Sequence, residues 1–472
     1  MNKKKKVKTS PIIKYFISSV IILSAVTIGL IKFIDILPNK YFGFLIAMFV
    51  IVDFALCALL LSSKIVVRIL GGLLSTCCIF ILIIAIIYEL NTIDFLKKIG
   101  KSEYSTLNYH VMVLKESEMN SIKDVSGKKI TLIDEYSDEV IKSLSKEINF
   151  TYDKCLLYTD LSDKLLKGQS SVIVIEDSAL RILEDENPSF ITSTKTIHKF
   201  TIDIKQKEIK RKVNTKKTPF NVYISGIDTY GNINSVSRSD VNIIATVNPS
   251  THKILLTSIP RDYYVPLYGK GEYDKLTHSG IYGIDSSVGT IEGFLDIKIN
   301  YYIKVNFTSL VKVVDTLNGI EVDSKFDFVS QDGYRFKKGI NEMNGKEALS
   351  FSRERKALPQ GDKSRGENHL AVLTAIINKA SNKSVLTKYN SLLKSLKPSI
   401  VTNFTNSELT NFIKMQLDKN IKWDIEYVTL DGSDGFEYTY SYSKNKLYVM
   451  IPDEQSVNDA SNKIKENLKK QQ

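Results

Sequence analysis

Three long apolar runs open the chain. The first covers about 12–34, with Lys14 near its start and Lys32 near its end, the second about 41–61 and the third about 65–88. Each approaches the ~20 residues that a helix needs to cross ~30 Å of hydrocarbon, and both lysines sit where long side chains snorkel to the interface. A cleavable signal peptide accounts for one such run but not for two more directly behind it. The pattern therefore predicts three transmembrane helices in the first 90 residues. Lys3 to Lys6 and Lys8 precede the first run, and Lys64 and Arg68 flank the turn between the second and third. Short basic flanks mark the cytoplasmic side. An odd number of spans then puts everything after about residue 90 outside the cell, as the large part of a multi-pass membrane protein.

Beyond residue 100 the pattern alternates between short apolar strands and amphipathic helices. HVMVL (110–114), KITLI (129–133) and SVIVIE (171–176) read as strands, and DEVIKSLSKEI and TDLSDKLLKG as helices. This alternation predicts a small α/β accessory domain over 100–206 with a partly parallel sheet, serving as a spacer or binding module. The lysine-rich connector Lys205 to Lys217 marks a boundary. From 218 to 400 a second α/β domain with a mixed central sheet is expected. VNIIATVN (241–248) and KILLTSI (253–259) form a hairpin, and SSVGTIEGFL and FTSLVKVVDTLNG read as helices around the strand INYYIKVNF. Asn344 begins the helix GKEALSFSR. Ser364 and Glu367 have capping-box spacing before LAVLTAII, which puts Arg365 in a first helical turn, where free N–H groups favour an anion. Residues 401–472 read as a C-terminal extension that ends in a polar helix, QSVNDASNKIKENLKKQQ, without an evident role. The apolar stretches 241–247, 254–259 and 370–377 suit a lipid groove, but such runs are more often core.

The net charge of +12 would suit nucleic acid, yet the topology turns the basic domain away from the chromosome. Cys57, Cys77 and Cys78 fall in the spans, so Cys155 stands alone outside and no internal disulfide is available there. Only nine of the 64 Lys plus Arg residues are arginine. Where arginine survives such a bias, its planar fork, which matches phosphate or carboxylate oxygens, is a reason for it. Arg68, Arg181, Arg211 and Arg335 read as structural. The others cluster: Asp228, Arg238, Asp240, Arg261 and Asp262 fall at strand ends or loops, and Arg353, Arg355 and Arg365 lie within thirteen residues.

GIDTYG with SRSD, then SIPRD, then EYDKLTHSGIYGID, then SRER followed by GD and RG, in this order over 218–400, resemble the LytR-CpsA-Psr family, and most closely its capsule-type members. Three membrane helices and an accessory domain fit that subgroup. The resemblance implies a phosphotransferase of the Gram-positive cell membrane. It would attach a polyprenyl-diphosphate-linked glycopolymer, capsular polysaccharide, to peptidoglycan through a phosphodiester and release polyprenyl phosphate. Arg238, Arg261, Arg353, Arg355, Arg365 and Lys275 would bind the diphosphate, because growing negative charge calls for positioned cations. Asp228 and Asp240, which by spacing alone read as turn or cap residues, would hold Mg²⁺ or Mn²⁺. Asp362 is the first candidate base and Asp262 the second, although a carboxylate among arginines is a weak base. His369 stands where the family has Gln near the phosphates, and becomes cationic there if phosphate raises its pKa. Partners would be the lipid-linked glycan, peptidoglycan and other capsule-assembly proteins. The alternative is a non-catalytic regulator, or an assembly or length-control factor, of capsule formation.

Overall fold

The computed structural model describes residues 10–98, 104–205, 209, 211–228, 233–382 and 400–469. The basic tail Lys3 to Lys8 lies outside the described residues, as do Thr229 to Gly231 of the GIDTYG motif and Asn232 after it. Two compact bodies are present: the membrane helices together with residues 405–421, and most of the remainder from residue 104 onward.

In the first body, α1 (Pro11–Ile34), α2 (Asn39–Leu60) and α3 (Ile65–Lys98) follow the three apolar runs, and all three are long and apolar enough to cross a membrane. Large apolar residues such as Phe44, Phe54 and Ile65 are exposed, as lipid-facing side chains are. Asp53, the one acidic residue of α2, accepts a hydrogen bond from the Ser24 hydroxyl of α1 at 3.1 Å, which partners a carboxylate inside an apolar layer. The turn between α1 and α2 is tied by two ion pairs to the helix Asn406–Lys419: Lys40 to Asp418 at 2.8 Å and Asp35 to Lys414 at 2.7 Å.

The second body begins with a five-stranded sheet of order β3-β2-β4-β1-β5, built from β1 (Tyr104–Leu114), β2 (Lys129–Ile133), β3 (Thr151–Cys155), β4 (Val172–Glu176) and β5 (Thr194–Lys205). β2 runs parallel to β3 and β4, while β1 runs antiparallel to β4 and β5, so the sheet is partly parallel. The short helices α4 (Ser137–Leu144), α5 (Tyr158–Leu166), α6 (Asp177–Glu186) and α7 (Pro188–Ser193) cover it. Val111, Ile130, Leu132 and Val174 form its core, and Val236 from the following region joins them. The basic connector docks instead of hanging free: Arg211 pairs with Glu292 and donates to the Ile299 carbonyl, and the Val213 N–H donates to the Tyr301 hydroxyl.

The second sheet has the order β10-β9-β6-β7-β8-β11 and is built from β6 (Phe220–Ile227), β7 (Ser239–Asn248), β8 (Lys253–Ile259), β9 (Tyr301–Asn306), β10 (Ile400–Thr402) and β11 (Asp424–Thr429). β6, β7 and β8 are antiparallel neighbours, and β9 and β11 lie parallel to β6 and β8 respectively. Helices α8 (Ile284–Leu295), α9 (Phe307–Thr316), α10 (Gly345–Arg353) and α11 (Asp362–Ala380) follow in the chain. The helix Asn406–Lys419 of the first body is α12, and α13 (Glu454–Asn467) comes last. The stretch after residue 400, read from sequence as an extension, thus supplies two strands of this sheet. Its final polar helix is a core element, because Ala460 and Ile464 are fully buried against Tyr223, Ile244, Leu255, Ile291 and Leu295. Ile243, Ile244, Ile254, Leu256, Leu370 and Val372 are likewise buried, so the candidate groove stretches serve as core. Ile464→Ala should cost about 2–5 kcal/mol through the cavity it leaves, and a lowered urea midpoint for the detergent-solubilised chain would register it.

Candidate functional site

Sheet direction assembles the site. β6 and β7 are antiparallel with Ile227 opposite Ser239, and β7 and β8 with Asn242 opposite Ile259. The end of β6, the start of β7 and the end of β8 therefore share one edge. Asp228 follows β6, Arg238 and Asp240 bracket the first residue of β7, and Arg261 lies just beyond β8. The parallel neighbours bring the end of β9, with Phe307, and the end of β11, with Leu430 and Asp431, to the same edge. Gly280 allows a 3-10 turn (Leu276–Tyr282) to pack on the Arg238 loop, since a Cβ there would lie 2.6 Å from the Ser237 carbonyl oxygen and 2.7 Å from the Ser239 nitrogen.

Two adjoining cavities result. The larger, about 120 Å³, is lined by Arg238, Asp240, Arg261, Asp262, Lys275 and residues of α6. The smaller, about 30 Å³, is lined by Asp240, Arg261, Asp362, Arg365, His369 and the end of β11. Asp240 and Arg261 belong to both. Arg261 Nη1 donates to Asp240 Oδ1 at 3.2 Å, and the Thr277 hydroxyl donates to the same oxygen at 2.9 Å. Asp262 bridges two cations, 3.5 Å from Arg261 Nε and 3.7 Å from Lys275 Nζ. Arg365 pairs with Asp362 one turn earlier in α11. Arg238 Nη1 donates to Asp185 Oδ2 of α6 at 2.5 Å. The cations around the cavities are thus each oriented by a carboxylate, and the unused N–H groups of the guanidinium forks remain available to phosphate oxygens.

The charges respond to this crowding. Burial alone would raise the Asp240 carboxyl, but Arg261, Arg238 and the Thr277 hydroxyl outweigh it and hold its pKa below the usual range. Asp228 is raised by desolvation and by the Asp240 charge, only partly offset by Arg353, Arg238 and Arg261. Burial opposes the Arg261 cation, yet Asp240, Asp262 and Asp362 raise its pKa above the ordinary value. Among the described residues no group of three or more His, Cys, Asp or Glu side chains is placed to hold a metal. Asp228 and Asp240 are close enough for the Asp240 charge to act on Asp228, which itself lines neither cavity.

Of the residues singled out from sequence, Arg238, Asp240, Arg261, Asp262, Lys275, Asp362, Arg365 and His369 converge on the cavities. Arg353 and Arg355 line neither cavity and are exposed. Arg353 lies 4.5 Å over the Phe307 ring, with its charge felt at Asp228, and the Arg355 charge is felt at Arg365. The expected capping box at Ser364 is not formed. Gly361, at φ 51°, lets α11 start at Asp362, the Ser364 hydroxyl accepts from the Gln360 N–H, and Glu367 pairs with Lys325 at 2.8 Å. Arg365 nevertheless stays in the first turn. At His369 burial, then the Arg365 charge, push the pKa down to about 3, so the imidazole of the free protein is neutral. Sequence reasoning does not find Thr277, Asp185 or Lys363, the last of which lines the smaller cavity and pairs with Asp431 at 2.6 Å. A threonine and a carboxylate of a preceding domain carry no signature that marks them as partners of Asp240 and Arg238.

Residues 189–466 match the LytR_cpsA_psr family. The chain is 39% identical over 277 residues to the polyisoprenyl-teichoic acid–peptidoglycan teichoic acid transferase TagU of Bacillus subtilis, covering 58% of this chain and 86% of that protein. It is 38% identical over 256 residues to TagU of Bacillus licheniformis, covering 53% and 79%. The crystal structure of B. subtilis TagU aligns with a TM-score of 0.44 and 38% identity over 54% of this chain and 99% of that one.

The depressed histidine has a pH signature. Its folded pKa lies below the unfolded value of about 6.5, so below that pH the unfolded chain takes up a proton that the folded chain refuses until about pH 3. Stability is therefore lost as pH falls through that window. His369→Gln should shrink the loss between pH 7.5 and pH 5 by up to about 2 kcal/mol, read from urea unfolding at the two pH values.

Proposed function

The chain belongs to the LytR-CpsA-Psr family, and from that premise we propose that it is a membrane-anchored phosphotransferase that attaches a polyprenyl-diphosphate-linked glycopolymer to peptidoglycan. The observation that carries this reading is the convergence of Arg238, Arg261, Lys275 and Arg365 on two cavities that share Asp240 and Arg261. A diphosphate is the ligand whose charge density calls for so many directed cations in one place.

In the proposed reaction a hydroxyl of the wall glycan attacks the phosphorus that bears the glycopolymer. The new P–O bond forms as the bond to the polyprenyl phosphate breaks, leaving a phosphodiester on the wall and free polyprenyl phosphate. Negative charge grows on the leaving and equatorial oxygens. Arg261 and Arg365 meet it from one side and Arg238 and Lys275 from the other, already oriented by their carboxylates, so little reorganisation accompanies the step. Asp362, at the start of α11 beside Arg365, takes the hydroxyl proton. Asp262 is engaged by both Arg261 and Lys275, which suits it to orienting them. Asp228 and Asp240 would hold Mg²⁺ or Mn²⁺, which when bound supplies charge neutralisation at the phosphates. Arg353 and Arg355, outside the cavities, serve as an outer cationic rim.

The site lies outside the cell in this proposal. The basic residues Lys64 and Arg68 at the turn between the second and third spans, with the basic N-terminal tail, support that sidedness. The related Bacillus proteins carry teichoic acid in their names, whereas the capsule-type order of motifs in this chain leads us to assign capsular polysaccharide as its polymer.

Purified full-length chain, supplied with a polyprenyl-diphosphate-linked oligosaccharide and peptidoglycan fragments, should release polyprenyl phosphate detectable by mass spectrometry. Arg261→Ala should slow that release at least about hundredfold; undiminished transfer would favour a non-catalytic assembly factor instead. Asp362→Asn should cut turnover comparably while copurified lipid is retained. Unchanged turnover in that variant would rule Asp362 out as the base.

A further inference from the structure

The loop between β6 and β7 carries Arg238, and it is held from outside its own sheet. The Thr106 N–H of β1 donates to the Asn234 carbonyl and the Val236 N–H donates to the Thr106 carbonyl, each at 3.1 Å. Strand β1 of the first sheet therefore pairs with the loop through residues 234–236. Val236 is buried in the hydrophobic core of the accessory sheet, among Leu107, Tyr109 and Val111. Lys304 of β9 fixes the Ser235 carbonyl from the other side at 2.6 Å. Two residues beyond this clamp, the Arg238 guanidinium meets Asp185 at the end of α6, and Ile182, Asp185 and Glu186 of that helix form one wall of the larger cavity. The family match begins at residue 189, after α6, so this wall is supplied by a part of the chain that the match does not cover.

We propose that the accessory domain completes the diphosphate site, with Asp185 as a positioning residue that aims Arg238 into the cavity. This rests on the diphosphate reading given above. The chemistry is that of a shared guanidinium: Asp185 occupies one Nη1 proton and fixes the plane of the fork, leaving the remaining N–H groups directed at phosphate oxygens. Without that carboxylate the arginine keeps its charge but loses its fixed direction, and each substrate must order it anew. The loop clamp by Thr106 and Val236 sets the backbone, and Asp185 sets the side chain.

The test measures farnesyl diphosphate binding to the detergent-solubilised full-length chain by calorimetry, together with thermal unfolding. Asp185→Ala should weaken binding about tenfold with the unfolding midpoint shifted by less than about 2 °C, as expected for a pair whose carboxylate is half exposed. Asp185→Glu, which keeps the charge, should recover most of the affinity. In an Arg238→Ala background, Asp185→Ala should have no further effect, because the carboxylate acts through the arginine. Equal binding by wild type and Asp185→Ala, tighter binding by the variant, or an equal loss in the Arg238→Ala background would each overturn the positioning role and leave the diphosphate site standing. Failure of the wild-type chain to bind farnesyl diphosphate would overturn both.

Discussion

Arg261 and Asp240 meet 3.2 Å apart across the ends of two adjacent strands, and the rest of the site is arranged around the consequences of that pairing. Both are largely withdrawn from water, so each charge carries a desolvation cost that its partner and further hydrogen bonds must offset. Asp240 gains the Thr277 hydroxyl, and the Arg261 carbonyl accepts from the Thr277 N–H at 2.8 Å, so one threonine fixes both members. With that pair set, Asp262 falls between Arg261 and Lys275, and α11 brings Asp362 and Arg365 to the opposite side. The result is an alternating network of carboxylates and cations whose directions are fixed before any ligand arrives.

An alternating network also explains how Arg238, Arg261, Lys275 and Arg365 stay close together around two adjoining cavities. Unscreened guanidinium groups would repel one another; at Arg365 burial is the main cause of a lowered pKa, Asp362 opposes it, and the Arg261 charge adds a smaller push in the same direction as burial. Carboxylates relieve that repulsion in the free protein. On the proposed reading a diphosphate then adds negative charge to a site that is already organised, which is where electrostatic catalysis draws its advantage over water.

The accessory domain, which the sequence presented as a spacer or binding module, is joined to this network at two levels. Backbone pairing of Thr106 with residues 234–236 and burial of Val236 in the accessory core tie the loop down. Other residues after 218, including Leu267, Ile281, Tyr282 and Tyr442 from segments outside the second sheet, pack among Leu161, Ile175 and Phe190 in one apolar cluster. A loop that carries a charged group into a cavity is ordinarily among the more mobile parts of a fold; here a second core holds it.

What the sequence determined by itself was local or carried by composition. Three apolar runs became three helices, KITLI and KILLTSI became β2 and β8 residue for residue, and the scarcity of arginine drew attention to Arg238, Arg261, Arg353, Arg355 and Arg365, of which Arg238, Arg261 and Arg365 line the cavities. Ser364 misled because capping spacing is a weak signal, and the left-handed Gly361 three residues ahead of it set the helix start instead. The C-terminal helix read as idle because only a few positions along it are apolar, yet Ala460 and Ile464 fall on one face and that face closes the core. Tertiary structure alone decided the rest. Antiparallel pairing of β6, β7 and β8 gathers Asp228, Arg238, Asp240 and Arg261 at one edge, and Asp185 reaches Arg238 from 53 positions away, through contacts between two sheets that no periodicity along either segment encodes.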